Sequence, residues 1–303
     1  MSWLGIVFTA AFATVLVGSV SQAMWIHRHI RHPRTVLAVI VGVSVFALPT
    51  SLAIAMAQPA DLAGWVQYVI GVEAVALVGI AVLVLISRHP ETPPSRVRRI
   101  LAIGAHPDDL ELACGGSLAR FVDGGHEVMG IVMSHGETGG NGALREREAK
   151  AGAHSLELQG FSIQNFTDTK LSTEIEEMVK SLELAIDLFR PDVILTHSAH
   201  DQHQDHHAVH LATMRAGRQS STILCFESPS ATSEFSPSYF VDISGYVDAK
   251  VTAVRRHKNQ AGKPYMGARV LRGAAVFRGS QARTKQAEGF EIKRALSSGI
   301  GDL

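Results

Sequence analysis

The stretch AIGAHPDDLELACGG, residues 102–116, places one imidazole and two carboxylates within four positions, after an apolar run and before a glycine pair. His106, Asp108 and Asp109 in that spacing suit metal-assisted hydrolysis. One carboxylate of an adjacent pair can ligate while the other stays off the metal and takes a proton from water. A second cluster, THSAHDQHQDHHAVH at residues 196–210, carries His197, His200, His203, His206, His207 and His210. Two histidines, a carboxylate and an open position form a common catalytic zinc set, and magnesium would want all-oxygen ligands, so the imidazoles favour zinc or a similar transition metal.

Strand ends position these residues. RRILAIGA, HEVMGIVMSH and DVILTH read as strands, with STILCFES and SYFVDIS as two more. LELACGGSLARFVDGG, LREREAKAGAHSLELQG and the amphipathic STEIEEMVKSLELAIDLFRP read as helices, the second stopping at Gly160 and the third just before Pro191. Alternating strand and helix predicts an α/β fold: a Rossmann-like, mostly parallel sheet with helices on both faces. Ligands in such sheets bind beyond the carboxyl ends of the strands. His106, Asp108 and Asp109 follow the first strand, Ser134, His135 and Glu137 the second, and the histidine cluster the third.

These residues resemble the LmbE-like, or PIG-L, zinc-dependent N-deacetylases. The resemblance rests on AHPDDLELACGG, SHGETGGNGALREREAKAG, RPDVILTH and HQDH, with VRRHKNQ and AEGFEI near the end, and spans residues 99 to about 290. It implies that His106, Asp109 and His206 ligate one zinc, or another divalent transition metal, per chain. It also implies that Asp108 is the general base and that His203 stabilises the oxyanion with Asp205 orienting or charging it. Arg145 would touch the substrate. Read from the residues alone, Asp108 could instead cap the following helix, Arg145 and Glu148 could form a plain helix ion pair, and Glu111 is a first-turn residue. The triplet DHH at residues 205–207 also fits a phosphoesterase, although the chain lacks the D-x-D strand end that a two-metal site would use. His197, His200, His207 and His210 have no assigned role.

Overall composition is uneven. The chain has 28 basic and 28 acidic residues, a formal charge of zero, which argues against nucleic acid as a partner. The two cysteines fit a reducing compartment rather than a disulfide framework. The first 86 residues hold three long apolar segments, 3–26, 36–57 and 65–86, each long enough for a spanning helix. Basic residues crowd the loop at 27–34 and the stretch after Arg88, whereas the 58–64 loop has none, so the positive-inside rule puts the catalytic part in the cytoplasm of a multi-pass membrane protein. Glu73, in the third segment, is a functional candidate or a bond to a neighbouring helix at an assembly interface, and Pro49 predicts a kink in the second. The expected organisation is a membrane region at 1–87, a Pro-rich linker at 88–98 and a deacetylase domain at 99–303. Counted from Ser87 to Arg98, the tether reaches at most about 37 Å at ~3.1 Å per residue. Such a tether fits a lipid-linked N-acetylated amino sugar, an N-acetylglucosaminide. The alternative is a soluble N-acetylglucosaminide with the helices serving localisation or assembly.

Overall fold

A computed structural model describes residues 2–30, 32–56, 64–88 and 96–296, which fall into two compact units, Met1–Pro90 and Glu91–Leu303. The first unit comprises α1 (Trp3–Ser21), the short α2 (Ala23–His29), α3 (Pro33–Met56) and α4 (Trp65–Ser87). Three of these, α1, α3 and α4, are long and apolar enough to cross a membrane. They are apolar all round, with Trp3, Phe46 and Val75 on the outside, which suits a hydrocarbon solvent.

Small residues and polar ties join the three helices. A Cβ at Gly5 would lie 2.4 Å from the Ala55 amide nitrogen, so α1 and α3 meet backbone to backbone. Glu73 is buried and accepts a 2.7 Å bond from the Thr50 hydroxyl, so the partner of Glu73 is in α3 of the same chain. Pro49 lies inside α3, and the hydroxyls of Thr50 and Ser51 bond the Ala47 carbonyl beside it. Most of the 58–64 loop and of the 88–98 linker lies outside the described residues.

The second unit is a seven-stranded sheet of β1 (Arg99–Gly104), β2 (Glu127–Ser134), β3 (Gly160–Phe166), β4 (Val193–His197), β5 (Ile223–Phe226), β6 (Tyr239–Asp242) and β7 (Ala287–Arg294), in the order β3-β2-β1-β4-β5-β7-β6. The first five run parallel, and β7 is antiparallel to both of its neighbours. The mostly parallel α/β expectation holds. Side chains of β1 alternate between two cores: Ile100 and Ala102 face one, Leu101 and Ile103 the other. α5 (Asp109–Asp123), α9 (Val247–Val254) and α10 (Ala268–Ala282) cover the first face, and α7 (Ile175–Phe189) and α8 (Gln204–Ala216) the second. Burial on both faces is why β1 reads as an unbroken apolar run.

Two sequence readings need correction. α6 (Gly142–Ser155) ends five residues before Gly160, the stop read from the sequence, because Glu157 adopts a left-handed φ of 57° and the chain turns into β3, a strand absent from the sequence reading. The histidine stretch is only half loop: α8 begins at Gln204, with the His203 Nδ1 accepting the Asp205 N–H as its cap.

Within α5 the backbone departs from helical geometry at Cys114. That break frees the amides of Gly116 and Ser117, which donate to the Glu288 carboxylate at 3.1 and 2.7 Å. Strand order reverses between β1 and β4, the position at which ligands bind in doubly wound sheets.

Candidate active site

The β1–α5 turn and the β4–α8 loop, on either side of that reversal, bring the sequence-predicted residues together. Asp109 opens α5, and its Oδ2 accepts the amides of Ala105 and His106 at 2.9 and 2.7 Å. Its Oδ1 lies 3.4 Å from His206 Nε2, and His106 Nδ1 lies 3.5 Å from Oδ2. His206 stands in the first turn of α8, where its Nδ1 contacts Asp201 Oδ2 at 2.9 Å, leaving Nε2 toward Asp109. His203 packs beside both rings, with centroid separations of 4.8 Å to His106 and 4.5 Å to His206. His197, at the end of β4, stacks on His206 at 3.9 Å and contacts Asp109 Oδ2 at 3.1 Å.

Asp108 points elsewhere. Its carboxylate makes no helix-cap bond and accepts from Arg145 Nη2 at 3.0 Å. Arg145 is buried, donates through Nη1 to the Gly136 carbonyl at 2.6 Å, and comes from α6. Only glycine fits at 136, where φ is 65° and a Cβ would lie 2.3 Å from that guanidinium. The expected partner of Arg145 was the substrate. Arg145 does line the cavity beside His106 and Asp109, and its bonds there go to Asp108 and Gly136. Glu148 accepts the Asn259 amide, and Glu111 is buried 3.4 Å from His257.

Asp205 meets His203 through its backbone rather than its carboxylate. The carboxylate contacts His106 Nε2 at 3.1 Å and accepts the amides of Thr169 and Leu171. His203 receives only the Asp205 backbone N–H, at Nδ1. A ring accepting at Nδ1 carries its proton on Nε2 and is neutral. Burial and the neighbouring His206 and His106 also push the His203 pKa down. The Asp205 N–H thus orients His203 as a neutral ring with its proton on Nε2.

Four further side chains at the site escaped the sequence reading. Asp168, after β3, sits 3.2 Å from His106 Nε2, and its own Oδ2 accepts the Thr138 amide. Asp168 was missed because its strand was. Asp201 lay inside the histidine stretch but had no motif position. Lys263 and Tyr265 arrive from the C-terminal part and line the same cavity of about 310 Å³. Of the unassigned histidines, His200 contacts Glu291 at 2.8 Å, His210 contacts the His197 carbonyl at 2.8 Å, and His207 is exposed. The glycine-rich loop after β2 braces the site: Ser134 donates to the Ala105 carbonyl, and Glu137 accepts the Asp168 amide.

The electrostatics describe a site built for positive charge. Burial opposes a charged ring at His206, yet Asp109 and Asp201 raise its pKa to about 9. His106 is raised well above the usual range against the same opposition by Asp109, Asp168 and Asp205. Burial would raise the Asp109 carboxyl, but His206, His197 and His106 hold it well below the usual carboxylate range. His197 goes the other way, lowered to about 4 by burial and by His206. Carboxylates that strengthen proton binding to two imidazoles would equally hold a divalent cation. Ligand atoms of Asp109, His197 and His206 lie within 4.8 Å of one another, as do those of His106, His203 and His206, and such imidazole-rich donor sets are borderline-soft and suit zinc or a neighbouring transition metal. Asp201 behind His206 and Asp205 behind His106 provide the outer carboxylates such rings use. The residues present thus fit a metal.

Residues 101–217 match the model of PIG-L, GlcNAc-PI de-N-acetylase. An uncharacterised deacetylase of Escherichia coli K12, YaiS, is 36% identical over 167 residues, covering 53% of this chain and 90% of that protein. The diacetylchitobiose deacetylase of Thermococcus kodakarensis is 28% identical over 232 residues, 66% of this chain and 85% of that one. In fold, the conserved protein TT1542 of Thermus thermophilus superposes with a TM-score of 0.60 at 24% identity, covering 66% of this chain and 96% of that one. A phosphoesterase assignment for the DHH triplet has no place beside these matches. Matched over nine-tenths of the Escherichia coli deacetylase and carrying the PIG-L signature on its first β–α turn, this chain belongs to the PIG-L family and is an amide hydrolase.

Proposed function

We propose that the chain is a metal-dependent N-deacetylase that removes acetyl from an N-acetylated amino sugar, an N-acetylglucosaminide, and that the sugar is lipid-linked. The observation that carries this reading is the division of labour in the Asp108–Asp109 pair: Asp109 turns into the imidazole cluster while Asp108 stays outside it on Arg145. His106, Asp109 and His206 would hold one zinc, or a similar divalent transition metal, which supplies Lewis-acid activation of water and of the amide carbonyl.

The chain's own groups do the rest. Asp108 Oδ1 or Oδ2 takes the proton from the attacking water and passes it to the leaving amine. Arg145 fixes the direction of that carboxylate. His203 donates its Nε2 proton as a hydrogen bond to the developing oxyanion, a neutral donor fixed at its other nitrogen by α8. The relative from Thermococcus kodakarensis is named for a diacetylated amino sugar, which supports the substrate class. The three long apolar helices support a membrane location for the chain, with the enzyme unit at 99–303 in the cytoplasm and the linker at 88–98. Acetate release from lipid-linked and soluble N-acetylglucosaminides by full-length protein in liposomes, with metal analysis of the same sample, tests the proposal. Release that needs the metal and favours the lipid-linked substrate is expected. No acetate from any N-acetylated sugar would refute it.

A further inference from the structure

α10 buries Leu271 and Ala275 against the sheet and turns a second apolar face outward. Val270, Val276 and Phe277 are 51%, 51% and 57% exposed, and a Cβ at Gly273 would meet nothing within 4 Å. Residues 270, 273, 274 and 277 recur at helical spacing, so they share one outer row. Basic side chains border that row. Arg269 precedes it, and Arg283 and Lys285 follow the end of the helix, all three exposed. Among the described residues none of the three has a carboxylate partner, whereas Arg272 and Arg278 of the same helix are held by Asp248 and Glu227. The face also stands beside the catalytic opening. Tyr265, a few residues before α10, lines the catalytic cavity, and Val270 and Ala274 line a neighbouring one that Tyr265 shares.

Charge decides what covers this face. An exposed aromatic and two valines with unpaired cations at both ends suit a bilayer interface, where the apolar side sinks to the headgroup level and the cations meet lipid phosphates. α7 gives the contrast. Leu184 and Leu188 are exposed there too, but Glu176, Glu177 and Asp187 stand on its outer side against Lys180, and an anionic surface would repel them. A second copy of this chain fits poorly, because a two-fold pairing of α10 would set Arg269 against Arg283 and Lys285. We propose that the outer face of α10 docks on an anionic bilayer surface, with Val270 and Phe277 in the headgroup layer and Arg269, Arg283 and Lys285 on phosphates. The catalytic cavity then opens beside the lipid. The proposal rests on the membrane location argued above and adds the face that the enzyme unit turns to the bilayer.

The test uses the full-length chain in vesicles of phosphatidylcholine and phosphatidylglycerol. A nitroxide is attached at Phe277→Cys and, as the control, at Leu188→Cys; the native Cys114 and Cys225 are buried. Val276→Cys reports the same face if Phe277→Cys folds poorly. Paramagnetic relaxation measures how far each label meets oxygen, which concentrates in lipid, and a nickel chelate, which stays in water. The 277 label should be several-fold better shielded from nickel than the 188 label in the same preparation. Adding Arg269→Glu with Lys285→Glu should remove that difference, since each cation contributes about one kilocalorie-sized attraction to such a surface, or about tenfold for the pair. These readings need no turnover, so they uphold the docking face even if no acetate is released from any sugar, an outcome that would defeat the deacetylase reading alone. Equal nickel access at 277 and 188, a difference untouched by the two charge reversals, or dipolar broadening that shows paired 277 labels overturns the proposal.

Discussion

Replacing Asp201 with asparagine should weaken metal binding without touching a ligand. Asp201 Oδ2 contacts His206 Nδ1 at 2.9 Å and accepts from the Ser228 hydroxyl, while Oδ1 accepts the His203 amide at 2.9 Å and the Ser230 hydroxyl at 2.6 Å. An asparagine has one acceptor oxygen and one NH₂. With the oxygen kept on the His203 amide, the NH₂ faces His206 Nδ1, which then must accept, and the ring proton moves to Nε2, the nitrogen aimed at Asp109. With the oxygen turned to His206, the loop loses its acceptor for two donors. Either way the ligand is offered in the wrong form or from a loosened loop. Loss of such an outer carboxylate typically weakens metal affinity about 10–100-fold, or about 1.4–2.8 kcal/mol at 1.4 kcal/mol per tenfold. Competition with a chromogenic chelator measures it, and circular dichroism confirms that the variant is folded. A folded Asp201→Asn protein with wild-type affinity would refute the argument.

Chelated, metal-free protein should lose stability as pH rises. The His206 pKa is raised to about 9, so the stability it contributes is complete below about 6.5 and disappears as pH climbs through 9, with His106 acting in the same direction. A Tm that stays flat from pH 6.5 to 9.5 in chelator would contradict this. Gly116→Ala puts a Cβ 2.8 Å from Ile243 Cδ1 in a closed core, and overpacking of that kind costs about 1–3 kcal/mol; chemical denaturation should show it, and an unchanged midpoint would mean the core yields. A reporter fused after Leu303 should read cytoplasmic and one in the 58–64 loop external, because the basic residues lie on the other side of the apolar segments. The reverse pattern would move the enzyme unit outside.

The parts of the site that are local in sequence were legible, and those depending on long-range placement were not. His106, Asp108 and Asp109 share one β–α turn, so their type, spacing and strand context could be read together. The doubly covered sheet was legible because β1, β2 and β4 are buried, near-continuous apolar runs. β3 hid because GFSIQNF is an edge strand with little fully buried surface, and Asp168 hid with it. The state of His203 could not be read because it depends on where α8 starts. Histidines 200 and 210 look alike in sequence, yet one meets a β7 carboxylate and the other a β4 carbonyl.

The central claim is that the adjacent aspartates do different work, Asp109 as ligand and Asp108 as base. The most direct measurement pairs metal content with acetate release in full-length Asp108→Asn and Asp109→Asn, each checked for folding. Asp108→Asn should keep about one metal per chain and lose about 10²–10⁴-fold in kcat, whereas Asp109→Asn should lose the metal. Near wild-type acetate release from Asp108→Asn, or full metal retention by Asp109→Asn, would contradict the account.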